Sequence, residues 1–132
     1  MLNYHKEKKA IATLFLFKEE IINEKTTPGW VVFDNSGRIK NLIENPTEQD
    51  RIKFENENKL TNGGVYVLEP EILNYIPEGF SDFMKNLFPE LLNQSKLIYI
   101  YVENCYFREL GQMIRYLKAK QEIESAKIKL NL

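Results

Sequence analysis

The chain has a single cysteine, Cys105, and a single histidine, His5, in 132 residues. A lone thiol closes no intrachain disulfide, and this pair is too few for the Cys and His ligand set of a structural zinc centre. Long apolar runs are also missing. None reaches the roughly 18 residues of a membrane-spanning helix, and the first residues, Met1-Leu2-Asn3-Tyr4-His5-Lys6, show no apolar stretch leading to a small-residue cleavage site. A cytosolic, reducing setting is expected. Neither sign of charge dominates: 18 Lys+Arg against 19 Asp+Glu leave a net charge of −1, with no drive toward polyphosphate backbones or anionic lipid. Nucleic acid and membrane are therefore not expected partners. Glycine is sparse, with six in all and none before Gly29, and no internal repeat or low-complexity tract occurs.

What is present fits one α/β domain: 43% of the residues are apolar and 28% charged. Residues 2–9 read as a helix that leaves His5 exposed among Lys6, Lys8 and Lys9. The unbroken apolar run 11–17 predicts a strand covered on both faces. A polar loop follows over 18–27. Trp30-Val31-Val32-Phe33, the turn residues Asp34-Asn35-Ser36-Gly37 and the alternating run 38–43 predict a hairpin. Residues 44–61 form a long polar connection, and Gly63-Gly64 opens a strand at 65–68. Pro70 starts a helical turn through Tyr75. Ser81-Asp82-Phe83 caps a helix striped by Met84, Leu87, Leu91 and Leu92, which Pro89 kinks or restarts and which ends near Gln94. Residues 97–102 are β-rich, Cys105-Tyr106-Phe107 begins a shorter strand with a buried thiol, and Ile114, Leu117, Ala119 and Ile123 fall at helical spacing through Ser125. The tail 126–132 suits either a helix extension or an edge strand. The aromatic set Tyr66, Tyr75, Phe80, Phe83, Phe88, Tyr99, Tyr101 and Tyr106 reads as core and pocket wall.

Several strings occur in one order: Met1-Leu2-Asn3-Tyr4-His5-Lys6, Pro28-Gly29-Trp30-Val31-Val32, Asp34-Asn35-Ser36-Gly37-Arg38-Ile39, Ile43-Glu44-Asn45-Pro46, Asn62-Gly63-Gly64-Val65-Tyr66-Val67-Leu68-Glu69-Pro70-Glu71, and Tyr106-Phe107-Arg108-Glu109-Leu110-Gly111. In that order the chain resembles the C-terminal half of the sugar-phosphate nucleotidyltransferases, the family of mannose-1-phosphate guanylyltransferases and glucose-1-phosphate thymidylyltransferases. The resemblance covers residues 1 to about 125, leaving 126–132 as a tail. It implies part of a Rossmann-like nucleotide-diphospho-sugar transferase domain, a mixed sheet flanked by helices.

The resemblance also implies roles. Gly29 lets the backbone approach the sugar, since no Cβ intervenes. Glu44, the acid of the family's E-K-P string, holds sugar hydroxyls by charge-assisted hydrogen bonds. Asn62 and Gly64 match an N-x-G string lining the sugar pocket, and Glu109 matches the aspartate of W-x-D-x-G, which helps hold Mg2+ on the phosphates. Without the resemblance, Glu44 is a solvated loop acid, Glu109 a surface ion-pair partner of Arg108 or Lys118, and Gly29 and Asn62–Gly64 are turn residues.

Three departures shape the expectation. Asn45 stands where the family lysine pairs with the sugar phosphate, Glu109 is one methylene longer than aspartate, and the glycine-rich G-x-G-T-R motif and first metal-binding aspartate are absent. Transfer at the α-phosphorus builds negative charge that cations and backbone N–H groups must stabilise. The expected function is thus the sugar-binding half of an enzyme making nucleotide-sugars from a sugar 1-phosphate and a nucleoside triphosphate, inactive alone. The alternative is a non-catalytic sugar-phosphate-binding or assembly module. The expected partners are a sugar 1-phosphate or nucleotide-sugar and a second copy or partner chain, recruited because the 11–17 strand would lie beside an open sheet edge.

Overall fold

A computed structural model describes residues 1–18, 29–103, 105–107 and 110–125. The expected loop over 18–27 falls almost wholly outside these residues, as do Asn104, Arg108, Glu109 and the tail.

The elements follow in the order α1 (Leu2–Lys8), β1 (Ala12–Phe17), β2 (Trp30–Phe33), β3 (Ile39–Ile43), α2 (Glu48–Lys53), β4 (Lys59–Leu68), a 3-10 turn (Pro70–Tyr75), α3 (Phe88–Asn93), β5 (Ile98–Val102) and α4 (Met113–Glu124). The strands form one mixed sheet in the order β3-β2-β4-β1-β5, in which only β1 and β5 run parallel. The sheet curls until Arg38, just before β3, bridges Tyr99 of β5, and the Ile100 N–H donates to the Gly37 carbonyl at 2.9 Å. A mixed sheet flanked by helices is what the sequence predicted.

β1 is buried along its whole length, as its unbroken apolar run requires. It pairs with β4 on one side and β5 on the other, so the expectation that residues 11–17 lie beside an open edge is overturned. One sheet face carries Ala12, Leu14, Leu16, Val31, Ile98 and Ile100 against Leu87, Phe88 and Leu91, the main core. Asp82 caps the chain entering α3, its carboxylate accepting from the Met84 and Lys85 N–H groups at 2.8 and 2.9 Å. The turn after it, Phe83–Leu87, is widened: the Leu87 N–H reaches back five residues to the Asp82 carbonyl. This widening lies just before Pro89, whose ring would clash with the preceding turn of a regular helix.

Four sequence expectations fail here. His5 is 2% exposed, because α1 turns it rather than Leu2 toward the sheet. There its Nδ1 lies 2.8 Å from Thr13 Oγ1 and its Nε2 3.1 Å from Glu69 Oε1. The connection 44–61 is shorter than expected, since it holds α2 and β4 already starts at Lys59. The overlooked helix signal is the capping box Thr47-x-x-Asp50, with Asp50 where Glu or Gln is usual. Residues 105–107 form no strand and Cys105 is exposed; Phe107 instead packs against Phe15 and Phe17, ring centroids 5.3 and 4.9 Å away. Finally, Phe80 is 94% exposed rather than core. α4 forms where its periodicity predicts, but it buries only Ala119 and leaves Met113, Ile114, Leu117 and Ile123 exposed.

Candidate functional site

The site is built where β3 ends and β4 bulges. Leu14 of β1 faces Tyr66 while Leu16 faces Asn62, so two steps along β1 oppose four along β4. In a regular strand four residues span about 13 Å. The bulge at Gly63-Gly64-Val65 compresses that distance until the Asn62 Nδ2 donates to the Tyr66 hydroxyl at 2.8 Å. The two glycines make this possible in different ways. Gly64 takes φ +70, and its N–H donates to Asn62 Oδ1 at 3.0 Å. A Cβ on Gly63 would lie 2.5 Å from Phe15 Cδ1 and 2.9 Å from the Phe15 carbonyl oxygen, so the bulge backs directly onto β1.

Gly29 enters from the other side. Its carbonyl accepts the Asn62 N–H at 3.1 Å, fixing the start of β2 to the bulge. A Cβ at Gly29 would stand 2.6 Å from Glu44 Oε1 and 3.3 Å from the Ile43 carbonyl oxygen. The Glu44 carboxylate therefore rests on bare backbone. Glu44 and Gly64 are exposed while Gly29 and Asn62 are half-buried, so the group is open to solvent on one side.

Tyr66 borders the group toward α3. Its ring packs against Phe83 and Phe88 at 5.7 and 5.1 Å between centroids. Burial pushes its phenol above the ordinary value; the Asn62 hydrogen bond pulls it down, and the negative charges of Glu44 and Asp82 push it up again. The phenol stays protonated at neutral pH. Because its oxygen accepts from Asn62, its proton is available to another acceptor.

The structure thus brings Gly29, Glu44, Asn62 and Gly64 to one place and adds Tyr66 and Asp82. In the sequence, Tyr66 reads only as core or pocket wall and Asp82 only as a helix cap. The signal for Tyr66 was its position four after Asn62 with two glycines between. Asn45 has φ 50, which asparagine tolerates, and its side chain makes no hydrogen bond among the described residues. Nothing ties Asn45 to Asn62 or Tyr66. Glu109 lies outside the described residues, and among those described no three His, Cys, Asp or Glu side chains converge on a point that could hold a metal ion. Nor is any described helix long and apolar enough to cross a membrane.

The site is thus an acid resting on a glycine at the end of a hairpin, beside a glycine-bulged strand of a mixed α/β sheet. The chain belongs to the nucleotidyl transferase family, whose model matches residues 1–126. It is 32% identical over 130 residues to a glucose-1-phosphate adenylyltransferase of Desulfitobacterium hafniense, covering 93% of this chain and 31% of that protein. To a UTP–glucose-1-phosphate uridylyltransferase of Synechocystis it is 30% identical, covering 95% and 31%. To the mannose-1-phosphate guanylyltransferase catalytic subunit beta of Drosophila melanogaster it is 29% identical, covering 81% and 29%. The chain thus spans about a third of the length of these relatives. Its fold matches the crystal structure of HddC from Yersinia pseudotuberculosis complexed with GMP-PN, with a TM-score of 0.64 at 15% identity, covering 92% of this chain and 48% of that one.

Proposed function

We propose that this chain forms the sugar-binding side of a nucleotidyltransferase that joins a sugar 1-phosphate to a nucleoside triphosphate. The observation carrying this reading is the Glu44 carboxylate seated on Gly29. An exposed carboxylate on bare backbone offers acceptor oxygens to ring hydroxyls without a side chain in the way, and charged acceptors make the stronger hydrogen bonds. Asn62 spends one amide proton on Tyr66 and one lone pair on Gly64, so it mainly holds those two in place while keeping one donor for a ligand. Tyr66 supplies a ring wall and a hydroxyl donor. The backbone at Gly64 stays open, with no atom within 4 Å of a Cβ built there.

Asn45 lies next to Glu44 and would meet the phosphate side of the ligand as a neutral amide. No G-x-G-T-R string occurs in these 132 residues, so the triphosphate grip is not assigned to them, and no step is routed through Mg2+. The same two features favour a second reading, a sugar-phosphate-binding module without turnover. The exposed lone thiol of Cys105 suits a reducing cytosolic setting. The exposed apolar side chains of α4 favour association with a second copy or a partner chain, which light scattering would detect.

Calorimetric titration with glucose 1-phosphate tests the proposal. Binding by the wild type that Glu44→Gln weakens is the expected result, and no binding by the wild type refutes it. Adding a nucleoside triphosphate separates the readings: pyrophosphate release supports the first, and binding without release supports the second.

A further inference from the structure

We infer that Phe80 is a further specificity-determining residue of this cleft, an aromatic cover that packs on the apolar face of the bound sugar ring; the inference rests on the sugar-binding reading above. Phe80 is 94% exposed, more than any other large apolar side chain among the described residues. Leaving such a ring in water forgoes about 1.5–3 kcal/mol of burial. Its neighbours in the chain border Tyr66. Two residues on, Asp82 acts electrostatically on Tyr66, and three residues on, Phe83 packs against the Tyr66 ring at 5.7 Å. Because the chain spans at most about 3.6 Å per residue, the Phe80 Cα lies within about 7 Å of the Asp82 Cα.

The segment is held at its ends and open between them. Before it, Ile72 is buried and the Lys96 Nζ sits 5.1 Å from the Tyr75 ring centroid. After it, the Asp82 N–H donates to Asn86 Oδ1 at 3.0 Å and the Asp82 carboxylate caps the next turn. Residues 76–80 are all exposed, and no hydrogen bond links their backbone to the rest of the described residues. Gly79 adopts φ +89 with nothing within 4 Å of a Cβ built on it, so the backbone just before Phe80 is uncrowded. A pyranose offers a polar rim for Glu44 and Tyr66 and an apolar C–H face, and the second of these needs a partner of Phe80's kind.

The test compares wild type, Phe80→Ala and Phe80→Trp for glucose 1-phosphate affinity by calorimetry, thermal midpoint without ligand, and ligand-dependent amide exchange over residues 78–81. The expected result is a loss of roughly ten-fold in affinity for Phe80→Ala, retention in Phe80→Trp, an unchanged midpoint in both, and slower exchange in the wild type once ligand is bound. Wild-type binding that Phe80→Ala leaves unchanged, or exchange that ligand does not slow, overturns the role of Phe80 and leaves the sugar site standing. A wild type that does not bind glucose 1-phosphate overturns both.

Discussion

Replacing Gly29 by alanine separates binding from folding. The new Cβ would stand 2.6 Å from Glu44 Oε1, where ordinary contact begins at 3.4 Å, so the carboxylate must withdraw by most of an ångström. The other close atoms, Glu44 Cδ and the Ile43 carbonyl oxygen, are at 3.3 Å and need to give only slightly. Gly29 is not among the glycines with positive φ, so alanine suits its backbone. The clash thus falls on the free end of a flexible, exposed side chain, and the entropy removed from the unfolded chain offsets it by about 0.4–1 kcal/mol. Stability should change by less than about 1 kcal/mol in urea unfolding. Binding should not escape so lightly. Displacing a charged acceptor from a sugar hydroxyl forfeits about 1.5–3 kcal/mol, or roughly ten- to hundred-fold in affinity for glucose 1-phosphate by calorimetry. Unchanged affinity in a folded Gly29→Ala protein would refute the placement of the sugar on Glu44 and Gly29.

Gly63→Ala should behave in the opposite way: its Cβ would meet the Phe15 backbone carbonyl at 2.9 Å, which cannot step aside, so urea unfolding should show a loss of about 1–3 kcal/mol. Thr13→Val removes the partner of His5 Nδ1 inside the fold and should cost about 1–3 kcal/mol, read from the same unfolding curves. Asp34 is held below the ordinary carboxylate value chiefly by the Ser36 hydroxyl, and Asp50 chiefly by that of Thr47. Both lose protons more readily folded than unfolded, so their contribution is full above the usual carboxylate range and disappears as pH falls through the depressed values. Stability measured between pH 5 and 2 should therefore fall with acidity, and Asp50→Asn should flatten part of that slope.

The sheet was legible because its strands carry their burial in the sequence. The run 11–17 is apolar at every position but Thr13 and is buried at every position, and Asp34-Asn35-Ser36-Gly37 forms the tight connection its residues demand. The bulge was not legible. Gly63-Gly64 reads as the entrance to a strand, and only the register of β1 against β4 reveals that the strand passes through it. The burial of His5 was not legible, because its neighbours Lys6, Lys8 and Lys9 give no hint that the imidazole faces a threonine hydroxyl from a neighbouring strand. Of the cleft, the residue types were visible and their convergence was not: Gly29, Glu44 and Asn62 are distant in sequence and meet only through the pairing of β2 with β3 and β4.

The parallel pairing of β1 with β5 bears on how the molecule comes into being. Ala12 finds its partner in Ile98, a separation of 86 residues, so the first strand of the pair must wait until the second has been synthesised. Closing so large a loop is entropically slow. During elongation on the ribosome, the most water-averse stretch of the polypeptide is left with one open flank, a period when chaperone binding would protect it best.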